Sequence, residues 1–267
     1  MPLTFRSGFL TPAATATLFL AASAAVWAQN SQSPINITGD PAVSVYNPAL
    51  PALNFTYGTT SLSVINNGSP GQESTIKANV PAGAGSVVLS GVTYELKQFH
   101  FHTESEHQIN GADSEMEMHL VHQDSNGNYL VLGRLIEAGA LNLALDPIFS
   151  NLPPTTSDTL PVFNFNLTGL LPGTSTSHRY SGSLTTSPYT EPVQWVVFSE
   201  KMELSQGQIN NFRALFTGPD GNEREPQPLN GRTIQTDVAG FVVPEPGGVA
   251  LGLLGFGILA ALRRRQA

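Results

Sequence analysis

Five of the chain's six histidines lie between Gln98 and His122, in "QFHFHTESEHQINGADSEMEMHLVH"; the sixth is His178. Imidazoles crowded in this way can bind a metal if the backbone turns the right ones to one side. In a strand, side chains i and i+2 share a face. Over "QFHFH" that rule groups Gln98, His100 and His102 and sends Phe99 and Phe101 the other way, into a core. "EMEMHLVH" alternates likewise, with Glu115, Glu117, His119 and Val121 opposed to Met116, Met118 and Leu120. The polar link between the two runs carries Asn110-Gly111, a hairpin-turn signal. Paired antiparallel, the strands bring His100, His102 and His119 together. Three imidazoles form a zinc-type ligand set, and a fourth tetrahedral position left to water marks a catalytic rather than a structural ion. Other first-row divalent ions suit the same donors.

A metal-bound imidazole usually gives its second N–H to an acceptor that fixes its tautomer. Gln98 precedes His100 by two residues on one face, and Glu117 stands in the same relation to His119, so both are placed for that role. His107 and His122 fall outside the pattern and read as structural.

The elements that must hold these strands follow from composition. The chain has 267 residues, 40% of them hydrophobic, with 25 Gly and 20 Pro, enough for one sizeable core built of strands and loops rather than a helical bundle. It has no cysteine, so neither a disulfide nor a thiolate enters the chemistry. Residues 41–84 read as peripheral strands and loops, and "LNLALDPIFSNLPPTTSD" (141–158) as a short helix ended by Pro153-Pro154.

The two ends read separately. Residues 1–28 carry Arg6, an apolar stretch and Val26-Trp27-Ala28, the pattern of a secretory signal peptide. The C-terminal segment, 237–267, holds Val243-Pro244-Glu245-Pro246, an apolar run over 247–262 and Arg263, Arg264 and Arg265. A helix of roughly 16 residues spans about 24 Å, short for a ~30 Å hydrocarbon core but usable with snorkelling arginines. This end resembles the PEP-CTERM sorting signal of exopolysaccharide-producing bacteria. That resemblance implies recognition by a membrane-bound sorting protease and a transient or permanent inner-membrane anchor. The expected location of the body is the periplasm, cell surface or extracellular matrix. Without residues 1–28 and 244–267 the body keeps 8 basic against 19 acidic residues, a net charge of about −11. That charge works against nucleic acid as a partner.

"QSPINI" (32–37), "QFHFH", "SEH" (105–107), "MEMHLVH", "GSLTTSP" (182–188), "VQWVVF" (193–198) and "QPLNGR" (227–232) occur in the order of an α-class carbonic anhydrase, which residues 29–236 resemble over nearly their whole length. The resemblance implies a mainly β, α+β single domain on a large, twisted, mostly antiparallel sheet with short peripheral helices. It also implies reversible hydration of CO2 to bicarbonate and a proton, with Zn2+ held by His100, His102 and His119. In that family the ion brings the pKa of its bound water to roughly 7, a figure taken from the family and not from these residues. Thr185 resembles the family's gatekeeper threonine, tied to the carboxylate of Glu106, and Thr186 lines the same mouth. Val121, Val131, Leu184, Val193 and Trp195 match the apolar wall where CO2 rests.

Two departures bear on rate. Fast members carry a histidine after "NNG" that relays the proton outward; here Asn66-Asn67-Gly68 is followed by Ser69, which has no pKa near 7. The family's aromatic-rich segment before "QSPINI" is also missing after the expected cleavage point. The competing reading is a catalytically weak, carbonic-anhydrase-like surface binding module, which turnover separates from the enzyme.

Overall fold

The computed structural model describes residues 31–68, 74–216 and 222–243. The expected signal peptide, the apolar tail helix and Ser69 lie outside the described residues. Among those described, no helix is long and apolar enough to cross a membrane.

The chain runs through β1 (Asn36–Ile37), β2 (Ser44–Tyr46), β3 (Leu53–Tyr57), β4 (Thr59–Asn66), β5 (Ile76–Asn79), β6 (Gly85–Leu89) and β7 (Val92–His102). There follow β8 (Gln108–Ile109), β9 (Met116–Gln123), β10 (Tyr129–Ala138), the short helix α1 (Asp146–Phe149) and β11 (Thr159–Asn166). A 3-10 turn (Leu167–Leu170), β12 (Ser177–Gly182), β13 (Val193–Leu204), α2 (Gln206–Arg213) and β14 (Ile234–Thr236) complete it. Twelve strands form one sheet in the order β11-β4-β5-β7-β9-β10-β13-β12-β14-β2, with β6 on β7 and β3 on β6. Its pairs are antiparallel except β10–β13 and β14–β2, as the family fold implies. The parallel β10–β13 pair sits at the centre. β10 is buried on both faces over Leu130–Ile136, which is why its sequence is a nearly unbroken apolar run.

Alternation works as the sequence predicts. Phe99, Phe101, Met116, Met118 and Leu120 are fully buried in the larger core, where α1 and α2 contribute Ile148, Phe149, Ile209 and Phe212. The opposite face carries a smaller cluster of Val121, Val131, Val193, Trp195 and Val197, closed by Ile35, Ile37, Tyr180 and Ile234. α1 lies within the expected 141–158 stretch and begins Asp146-Pro147, but it ends at Phe149 with its cap at Ser150, before Pro153-Pro154 is reached. α2 is fixed by a capping box in which Ser205 and Gln208 satisfy each other's backbone N–H groups. The 41–84 stretch is less peripheral than the sequence suggests, because β5 pairs directly with the histidine-bearing half of β7. Residues 237–243 continue to pack on the body: the Phe241 ring lies tilted against that of His178 with centroids 4.3 Å apart, and Ser177 N donates to Asp237 Oδ1 at 2.6 Å.

Candidate active site

β7 and β9 pair antiparallel with His100 opposite His119 and His102 opposite Glu117. The link between them turns at Asn110-Gly111, both residues at positive φ (51° and 77°), the geometry of a two-residue hairpin turn. This register brings the imidazoles of His100, His102 and His119 together, with ring centroids 4.7 to 5.3 Å apart. One ring nitrogen from each lies within 4.8 Å of the others.

The outer nitrogens are held as the sequence predicts, with one addition. His100 Nδ1 donates to Gln98 Oε1 at 2.8 Å, and His119 Nε2 lies at ion-pair distance, 3.1 Å, from Glu117 Oε1 without hydrogen-bond geometry. His102 Nδ1 donates to the carbonyl of Asn222 at 2.9 Å. Asn222 carries no local sequence signal: it arrives from 120 residues away and also bonds the backbone of Phe101, Thr103 and Ser74. Each imidazole therefore turns its remaining nitrogen inward. His102 Nε2 is buried without a hydrogen-bond partner, and a buried lone pair left unmade is costly unless something occupies it. Burial holds all three rings neutral. It pushes His100 well below the usual imidazole range, with the neighbouring His102, His119 and Lys77 acting the same way, and brings His102 to about 3. Neutral imidazoles with converging lone pairs are what a divalent cation requires, so the residues fit zinc.

Behind the three imidazoles lies a network that the sequence reading understates. His107 read as structural; it is fully buried, and its N–H and Nδ1 donate to the two oxygens of Glu117, both at 2.8 Å. Burial works against charge on Glu117, but His107 and His119 hold its carboxylate well below the ordinary range. The hydroxyl of Tyr180 lies 2.6 Å from His107 Nε2 and 2.9 Å from Ser33 Oγ. Ser33, in "QSPINI", accepts from Ser183 N at 3.1 Å, which ties that motif to the loop carrying Thr185. His122 lies away from this centre, bonded to Tyr57 and to the Leu120 carbonyl.

Glu106 is fully buried rather than solvated in its loop. Burial pushes its pKa well above the carboxylate range, against which the Thr185 hydroxyl and the backbone N–H of Arg224 (3.0 Å from Oε1) stabilise the anion.

The cleft has two unlike halves. One is a cavity of about 140 Å³ lined by Val121, Val131, Leu184, Thr185, Thr186 and Trp195, with Tyr129 an addition to the expected wall. Val193 does not line it; the side chain is fully buried in the apolar cluster behind. The other half, about 260 Å³, shares Gln98, His100 and Thr186 and adds Asn67, Thr75, Lys77 and Ser187.

The profile of the eukaryotic-type carbonic anhydrases matches residues 21–238. A carbonic anhydrase of Neisseria gonorrhoeae is 40% identical over 204 residues, 76% of each chain, and one from Nostoc is 35% identical over 205 residues. Among solved structures, an α-carbonic anhydrase of Thermovibrio ammonificans in complex with the inhibitor sulfanilamide is 38% identical. It superposes with a TM-score of 0.70, over 77% of this chain and 87% of that one.

Proposed function

The chain belongs to the α-class carbonic anhydrase family, enzymes that interconvert CO2 with bicarbonate and a proton, and from that premise we propose that His100, His102 and His119 hold zinc at its active centre. The observation that carries the reading is the buried, unpartnered Nε2 of His102, aimed between two more neutral imidazoles at the foot of a cleft with an apolar wall. Zinc, when bound, supplies the Lewis acidity that makes a water molecule nucleophilic at neutral pH.

The protein's own groups do the rest. Gln98, Glu117 and the Asn222 carbonyl fix the three imidazoles in the tautomers that leave a lone pair inward. Thr185 spends its proton on Glu106, so its oxygen can only accept from a donor in the cleft, and it orients that donor toward the opposite wall. Val121, Val131, Leu184 and Trp195 form that wall. CO2 has no net dipole and suits apolar surroundings, and the wall excludes competing water. Thr186 lies at the junction of the two halves.

Among the described lining residues, the imidazoles of the cleft are those of His100 and His119. With Ser69 after "NNG", no imidazole stands ready to carry the proton from the centre to solvent, so buffer does this work and limits the rate. The test is stopped-flow CO2 hydration by protein of known zinc content across a buffer series. Absence of turnover with one zinc per chain would reject the enzyme in favour of the surface binding module.

The location we propose is outside the cytoplasm, supported by the composition of residues 1–28 and of the Val243–Arg265 tail. A membrane-bound sorting protease then acts on the tail. The family match begins at residue 21 and so takes in Trp27, which makes the mature N-terminus the informative end. Mass spectrometry of protein recovered from the producing cells reads both ends; an uncut chain in the cytoplasm overturns this part.

A further inference from the structure

Thr185 lies in the loop over 183–192, between β12 and β13, and the chain brackets it closely. Leu184 N donates to the Thr190 carbonyl at 3.0 Å and Tyr189 N to the Thr186 carbonyl at 2.8 Å, so Thr185 moves with the limb that carries Tyr189. Tyr189 itself stands at φ 56°, a left-handed conformation that a bulky residue keeps only where surrounding contacts impose it. Over its ring lies Arg224, with the guanidinium carbon 3.9 Å from the ring centroid. The same guanidinium donates through Nη1 to the Ser33 carbonyl at 2.7 Å, and the Arg224 backbone N–H holds Glu106 Oε1. Ser33 in turn is bonded to the start of the loop, donating from its N to Ser183 Oγ at 3.0 Å.

The contacts close a ring that runs from Glu106 through Arg224 and Tyr189 to Thr185, whose hydroxyl returns to Glu106. Both partners of that last bond are thereby referred to one arginine. We propose that Arg224 and Tyr189 are a positioning pair that sets the distance and direction of the Thr185–Glu106 hydrogen bond. Arginine suits the task because its planar fork can cover a ring and bond a carbonyl at once, which the single ammonium of lysine cannot. Neither residue lines either half of the cleft, so their effect on turnover passes through Thr185. A reacting centre loses much of its rate when such a group shifts by about an ångström. The proposal rests on the carbonic anhydrase reading of the site.

The test measures stopped-flow kcat/KM for CO2 on full-length protein with one zinc per chain. Arg224→Ala removes the guanidinium and leaves the backbone N–H on Glu106. It is expected to lower kcat/KM roughly five- to twentyfold, and Tyr189→Leu by a similar factor. Tyr189→Phe keeps the ring and should stay within about twofold of the unaltered protein. Arg224→Lys should recover only part of the loss. The decisive readout is a double-mutant cycle: in a Thr185→Ala background, Arg224→Ala should cost less than about twofold, because the bond it positions is already gone. An equal loss in both backgrounds overturns the proposal, since general support of the fold would act in either, and so does an unchanged kcat/KM in Arg224→Ala. If Arg224→Ala does not fold, the same cycle is run with Tyr189→Leu. If the unaltered zinc protein hydrates no CO2, or Thr185→Ala hydrates it as fast as the unaltered protein, the reading of the site fails and this proposal falls with it. If both behave as expected while the variants of the pair are unchanged, only this proposal falls.

Discussion

A Cβ placed on Gly133 would sit 2.7 Å from Glu117 Oε1 and 3.4 Å from Val197 Cγ2. Glu117 therefore occupies the space that any other residue at 133 would fill. Gly133 is opposite His119 in the β9–β10 register, so the absent side chain leaves room for the carboxylate beside that imidazole.

Gly133→Ala should displace that carboxylate and weaken zinc binding by about ten- to hundredfold, the cost typical of losing an outer partner of a metal ligand. Glu117→Gln should fall in the same range. Competition with a chromophoric chelator measures both. If Gly133→Ala holds zinc as tightly as the unaltered protein, Glu117 is not what fixes His119.

Under the proposed function Thr185 and Glu106 act on orientation and not on metal retention. Thr185→Ala should keep its zinc and lose about a hundredfold in kcat/KM for CO2, the scale of removing one preorganised polar contact at a reacting centre. Thr185→Ser should recover most of that loss. Stopped-flow hydration alongside metal analysis separates the two effects; zinc loss in Thr185→Ala would assign the residue a structural role.

Proton export sets a third expectation. At saturating CO2, turnover should rise with the concentration of an imidazole-type buffer and level off, because an exogenous base with pKa near 7 does what Ser69 cannot. A maximal rate indifferent to buffer concentration contradicts it.

Acid should destabilise the fold through histidines away from the metal centre. Burial lowers His122 and His178 from 6.5 to about 4 each. An unfolded chain binds protons at these positions below pH 6.5 while the folded chain does not until about pH 4, so stability falls as pH drops through that window. Each histidine contributes about 2 kcal/mol of loss between pH 7.5 and 5, at 1.36 kcal/mol per pKa unit. His178→Phe, which leaves the Phe241 contact apolar, should flatten the slope in denaturant melts across that range. An unchanged slope removes His178 from the account.

The histidine centre was legible because it is built on the simplest periodicity a chain has. A period of two put His100, His102 and Gln98 on one face and both phenylalanines on the other, and Asn110-Gly111 marked a turn in the link between β7 and β9, where it closes the Ile109–Ala112 bridge. The same logic placed Val121 on the face of His119, whereas Val131, Val193 and Trp195 were expected at the cleft only through the family resemblance, and Val131 and Trp195 do line it. Val193 shows where it ends: alternation identifies a buried side chain but not which part of a cluster reaches the cavity.

By itself, then, the sequence determined the convergence of His100, His102 and His119, the positions of Gln98 and Glu117 beside them and the two-sided sheet, because these depend on neighbours in one strand or across one strand pair. The tertiary structure alone decided the rest. It brought the Asn222 carbonyl to His102 and the Arg224 N–H to Glu106, and it turned His107 from an apparent bystander into the holder of Glu117. It also set Lys77 beside the cleft and gave Gly133 its purpose. These contacts join segments far apart in the chain, and their partners are fixed by how the whole sheet closes, for which no local spacing carries a signal.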